Sequence, residues 1–185
     1  MNMLNFLNHI IPTAVDIGIN MVAHPDDPPW SIFGLPRILS DQADMRWLRK
    51  AYDIENNGFC FCTGSYGSSQ QNNLLSMLKE NIKRVNFLHL RSVTKEKKNQ
   101  TFYESSHIHG DVDMVQIVKI ILEEENIRKQ LGKPNAVIPM RPDHGHQILD
   151  DLKKSINPGY SAIGRMKGLA ELRGIEIALK STFQL

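Results

Sequence analysis

Four short apolar runs in this 185-residue sequence each end in or beside a residue that can bind a metal. His24 follows "INMVA" (19–23), Cys62 closes "GFCFC" (58–62), His89 lies in "RVNFLHL" (84–90) and Asp143 follows "AVIPM" (136–140). Two imidazoles, a thiolate and a carboxylate make a four-ligand set for a divalent cation. Thiolate and imidazole suit zinc or iron, and the carboxylate also admits manganese. No CxxC or HExxH motif decides among them. Each residue also has a plainer reading. A histidine at a strand end is often only hydrogen-bonded, Cys62 can be a small buried hydrophobe, and Asp143 after Pro142 can form a turn or cap a helix. What favours the metal is the recurrence at four successive run ends.

Other polar groups crowd the last of these ends, "MRPDHGHQ". Arg141 can pair bidentately with a carboxylate. His144, His107 and Tyr160 can move protons, or can serve respectively for orientation, solvent contact and packing. His146 has no assigned part. Asp26 and Asp27 sit among prolines and shape a loop, and "KEKKN" (95–99) reads as a solvated loop. Asp150, Asp151, Lys153 and Lys154 read as an exposed helical turn.

Such a set converges only if the runs are neighbouring strands. Short apolar runs bounded by Gly, Pro, Asn and charge fit fully buried parallel strands. Helical patterns alternate with them. Ser40 is positioned to cap "DQADMRWLRKAY", with Met45, Leu48 and Tyr52 on one face; Leu74, Leu75 and Leu78 form a shorter stripe. Asp111 is positioned to cap a helix whose Met114, Val118, Ile121 and Leu122 repeat at i, i+4, i+7 and i+8. A last helix begins near Ser161 and carries Gly164, Gly168 and Gly174, which close packing would explain. A first helix over 2–16 contains Pro12, which should kink or shorten it. Strand–helix alternation predicts a parallel α/β sheet in a single domain over 1–185, with functional groups at the strand C-termini. Four βα units are half of an eightfold barrel, and a whole barrel takes about 200 residues or more.

Hydrophobic residues make up 41% and charged residues 23% of the chain, an ordinary globular balance. A net charge of +2 gives no case for nucleic acid or an anionic membrane, and no apolar stretch is long enough to span a bilayer. The N-terminus lacks the features of a signal peptide. Cys60 and Cys62, two apart on one strand, are badly placed to join, so reduced thiols and a cytoplasmic location are expected.

The ordered motifs "HPDDPP", "IFGLPRI", "FCTGS", "FLHLR", "GDVDM", "MRPDHGHQILDD", "NPGYSAIGR" and "KGLAELRGIE" closely resemble the mannonate dehydratase family over about residues 10–180. The resemblance implies a metal-dependent TIM-type (β/α)8 barrel of the xylose-isomerase-like group, of which this chain holds about four C-terminal βα units. It implies dehydration of D-mannonate to 2-keto-3-deoxy-D-gluconate in hexuronate (glucuronate) catabolism, with Mn2+ as the usual metal and Fe2+ or Zn2+ compatible with the ligand types. Carried onto this sequence, it makes His24, Cys62, His89 and Asp143 the ligands. Arg141, His144 and Tyr160 take catalytic or substrate-binding places, with His107 in the active-site loop. It also implies an acidic residue in many relatives where this chain has His109, and a first half of the barrel that would have to come from a separate N-terminal half or from self-association. A non-catalytic metal-binding or interaction remnant and a sugar isomerase of the same barrel group are the competing readings.

Overall fold

The computed structural model describes residues 2–96 and 101–183, so positions 97–99 of the "KEKKN" run lie outside them. A first helix, α1 (Asn2–Asp16), buries Leu7, Ile11 and Ala14 at i, i+4 and i+7, and Pro12 lies inside it without shortening it. Strand β1 (Met21–Ala23) follows, then α2 (Gln42–Ala51), β2 (Asn57–Cys62) and a one-turn α3 (Thr63–Gly67). Next come α4 (Leu74–Asn81) and β3 (Val85–His89). A hairpin of β4 (Val93–Lys95) and β5 (Phe102–Glu104) precedes α5 (Met114–Gln130), β6 (Met140–Arg141) and α6 (Ala162–Phe183).

Strands β1, β2, β3 and β6 form one parallel sheet in that order, which leaves β1 and β6 as its edges. The expected α/β fold with a parallel sheet is therefore present. Every residue of β2 is buried, as the apolar run 58–62 requires, and the amide of Asn57 at its start donates to the Leu48 and Tyr52 carbonyls. Strand β1 is only half-buried because it lies at an edge. Phe59, Phe61, Leu88 and Val85 of the sheet join Met45, Leu48, Met77, Leu78 and Ile117 of the helices in one core. The pairing Cys62↔His89↔Arg141 puts the ends of three strands in one row.

Several local expectations need correction. Asp41, not Ser40, caps α2 by accepting from the Asp44 N–H. Asp113, not Asp111, caps α5 by accepting from the Gln116 N–H, while Asp111 accepts from the Lys95 N–H at 2.8 Å. The run 136–140 contributes only Met140 to a strand, and Val137 is exposed because the edge has no neighbour on that side. The polar segment after β3 is not all loop: its two three-residue strands pair antiparallel, Val93 opposite Glu104.

The turn at 149–153 is helical as expected, but Asp151 is buried rather than exposed. Its carboxylate accepts from Ser161 Oγ–H (2.6 Å), the Ile163 N–H (2.7 Å) and Lys154 Nζ (2.8 Å). Ser161 Oγ in turn accepts from the Gly164 N–H, so one aspartate anchors the start of α6. Lys154, Ser161 and the Ile163 N–H hold the Asp151 pKa down to about 2. A depressed carboxylate pKa stabilises the fold above the unfolded value of about 4 and loses that contribution as pH falls toward the folded one. Asp151→Asn should lower the Tm by about 2–4 °C near neutral pH. Thermal melts at stepped pH should show the gap closing between about pH 4 and pH 2; a gap unchanged across that window would contradict this role.

On α6, Gly164 and Gly168 lie on the buried face with Leu172. A Cβ at Gly164 would overlap the His146 backbone, and one at Gly168 would overlap the His107 ring. Close packing thus explains two of the three glycines. Gly174 has nothing within 4 Å, and nothing in the structure explains it. Among the described residues, no helix is long and apolar enough to cross a membrane.

Candidate metal centre

The strand ends bring the predicted ligands together. One donor atom each from His24, Cys62 and His89 lies within 4.8 Å of the other two. His24 Nε2 is 3.0 Å from His89 Nδ1. Asp143 Oδ2 stands 3.6 Å from His89 Nδ1 and 3.8 Å from Cys62 Sγ. Donors about 2.1 Å from one cation in a tetrahedron are about 3.4 Å apart, so the 3.0, 3.6 and 3.8 Å separations fit a shared ion, while the widest in the cluster, up to 4.8 Å, would have to shorten on binding.

Each donor is aimed by its neighbours. His24 Nδ1–H donates to the Pro25 carbonyl at 2.7 Å, which leaves Nε2 with a lone pair facing the cluster. Burial holds the His89 pKa down to about 4 against the opposing charge of Asp143, so its imidazole is neutral, as a ligand must be. Cys62 Sγ accepts from Ser65 Oγ–H (3.1 Å) and from the Ser65 N–H (3.4 Å). Burial nonetheless pushes its thiol up to about 11, with the Ser65 hydrogen bonds pulling the other way. A cation at the sulfur would supply the missing stabilisation of the thiolate. Cys60 is a free thiol like Cys62, pushed by burial up to about 12.

Asp143 has a left-handed backbone (φ 66°), a conformation that aspartate tolerates better than most residues. Arg141 Nη2–H donates to its Oδ1 at 2.7 Å, so the other oxygen is left for the cluster. His107 is buried rather than exposed, and its Nε2 makes a 2.7 Å hydrogen bond with the Pro142 carbonyl. It therefore braces the turn that carries Asp143, wedged between that turn and Gly168. The His144 and Tyr160 rings lie 5.0 Å apart, with Tyr160 about half-exposed. The site has further members that no spacing signal in the sequence singles out: Ser65, Arg91 and Glu104. Asp27, read from sequence as a loop-shaping residue, receives a hydrogen bond from Arg91 Nη1 at 2.6 Å. Asp26 does shape its loop, accepting from the Ile38 and Leu39 N–H groups at 2.8 and 2.6 Å. His109 is exposed and His146 Nε2 is 3.0 Å from the Glu104 carbonyl oxygen.

The family model for D-mannonate dehydratase (UxuA) matches residues 1–185. This chain belongs to the D-mannonate dehydratase family. It is 49% identical over 174 residues to mannonate dehydratase 2 of Agrobacterium fabrum, covering 94% of this chain and 43% of that protein. It is 48% identical over 180 residues to the mannonate dehydratase of Rhizobium meliloti, covering 96% and 45%. The crystal structure of mannonate dehydratase from Streptococcus suis serotype 2 superposes with a TM-score of 0.86 at 35% identity, over 99% of this chain and 50% of that one. The chain thus spans about half the length of these mannonate dehydratases, and the resemblance seen in its motifs is a membership.

Proposed function

We propose that this chain supplies the metal-binding and proton-transferring half of a D-mannonate dehydratase, a hydro-lyase acting in hexuronate breakdown. The supporting observation is the convergence of His24, Cys62 and His89, with Asp143 beside them, at the ends of adjacent parallel strands. These four residues would hold the cation, with Mn2+ preferred and Fe2+ or Zn2+ compatible with the donors. When bound, the metal supplies positive charge against the anion that develops as the C2 proton leaves. Arg141, half-exposed and steadied on Asp143, presents its guanidinium to the substrate carboxylate. His144 and Tyr160 share the two proton transfers. One takes the proton from C2. The other gives a proton to the C3 hydroxyl as the C3–O bond breaks and water departs. The resulting enol takes a proton at C3 and gives up its hydroxyl proton, leaving the 2-keto acid.

We read the sheet as four strands of an eight-stranded TIM-type barrel in one domain. Its open edges, β1 and β6, would take a complementary N-terminal half or a second copy of this chain. Two free buried cysteines accord with a reducing, cytoplasmic setting. Co-expression with the N-terminal half of the Agrobacterium relative tests the proposal. Manganese-dependent loss of mannonate and gain of 2-keto acid are expected from the pair. A folded, metal-loaded pair without turnover would leave the non-catalytic remnant as the reading, and aldose–ketose interconversion by it would indicate the isomerase.

A further inference from the structure

Glu104 closes the β4–β5 hairpin, yet its carboxylate is turned inward among three donors. Arg91 Nε–H donates to Oε2 at 3.0 Å, and Arg91 Nη2–H donates to Oε1. His144 Nδ1 lies 2.8 Å from the same Oε1. Arg91 itself is buried, with its guanidinium 5.7 Å from the Phe102 ring and its Nη1 on Asp27. Gly64 leaves the room for it: a Cβ there would come within 2.7 Å of Arg91 Cβ and overlap the atoms beyond. The rigid fork of arginine therefore fixes the plane of the Glu104 carboxylate.

A carboxylate can only accept hydrogen bonds. Burial raises the Glu104 pKa, but the hydrogen bonds from His144 and Arg91 outweigh it and hold the group ionised, at about 2. A carboxylate held by the Arg91 fork can only accept from His144, so the shared proton sits on Nδ1, and the neutral form of the ring carries its lone pair on Nε2. That nitrogen lies 4.0 Å from Asp143 Oδ2, on the side of the metal cluster. We propose that Glu104 is a positioning residue that fixes the tautomer and aim of His144, and that Arg91 positions Glu104. The inference rests on the dehydratase reading for what Nε2 does to substrate; the tautomer is independent of it.

Glu104→Gln tests this directly. An amide replaces one acceptor oxygen with a donor, so either orientation sets N–H against the N–H groups of Arg91 or His144. In the 15N-labelled chain at about pH 8, above the usual imidazole range, wild-type His144 should carry its proton on Nδ1. In Glu104→Gln the signal should move to the Nε2–H form or to an average of the two. Arg91→Lys, which keeps a cation beside Glu104, should retain the wild-type tautomer. In the reconstituted enzyme, Glu104→Gln should lower kcat about 100-fold with KM changed far less. An Nε2–H tautomer in the wild type, or an unchanged Nδ1–H in Glu104→Gln, overturns the proposal. Should Glu104→Gln fail to fold, the wild-type and Arg91→Lys spectra decide. An inert enzyme with the expected spectra refutes the activity while leaving the role of Glu104 standing.

Discussion

Asp143→Asn should weaken manganese(II) binding to this chain by at least about 100-fold, as read by titration calorimetry. Loss of a residue that merely orients a ligand already costs 10–100-fold, and Asp143 would be a ligand itself. Asparagine is the informative replacement because it also tolerates the left-handed backbone found here (φ 66°), so the turn keeps its shape. The amide removes the charge that faces His89 and Cys62 and leaves Arg141 without its anionic partner. Arg141 also guards against a trivial outcome. Its guanidinium is half-exposed, so water can solvate it once the buried Asp143 carboxylate loses its charge. The variant should therefore remain folded, and its loss should appear in binding rather than in the melting curve. An affinity within a few-fold of wild type would remove Asp143 from the ligand set.

His144→Ala and Tyr160→Phe should each lower kcat of the reconstituted dehydratase by about 1,000-fold, within the span attributed to a positioned acid or base. Metal affinity should stay near the wild-type value in both. Tyr160→Phe removes one hydroxyl and keeps the ring that packs 5.0 Å from His144, so a loss of rate there belongs to the proton and not to the packing. Groups that act in one elimination should not add independently: the double variant should be only slightly worse than the poorer single one. Two full and multiplicative losses would instead place the residues in separate steps. If either single variant kept kcat within a few-fold of wild type, that residue would have no proton to move.

The parallel sheet and the meeting of His24, Cys62 and His89 at its strand ends were legible for one physical reason. Central strands of a parallel sheet are near-continuous apolar runs, so "GFCFC" and "NFLHL" stand out, and a polar or metal-binding residue at their ends marks the functional edge of the sheet. The edge strand was harder to delimit, since β6 is only Met140–Arg141 and Val137 faces solvent. The hairpin was not legible at all. "VTK" and "FYE" are too short and too polar for a period-two signal, and their pairing is visible only in three dimensions. With the hairpin went Glu104 and its 2.8 Å contact with His144 Nδ1. Asp151 misled for the opposite reason: a run of two acids and two lysines looks solvated, yet the capping of α6 draws one of the four inside.

His24 stands apart from its fellow donors. Cys62 and His89 are buried on interior strands, whereas His24 directly follows edge strand β1 and is exposed. Were an ion held here, tightness of binding and speed of exchange would be separate properties. The buried pair would set how strongly an ion is held, while the rim histidine offers the path by which it enters and leaves. Whatever comes to lie along β1 would act as a gatekeeper, slowing ion loss to a chelator without adding a single coordinating atom.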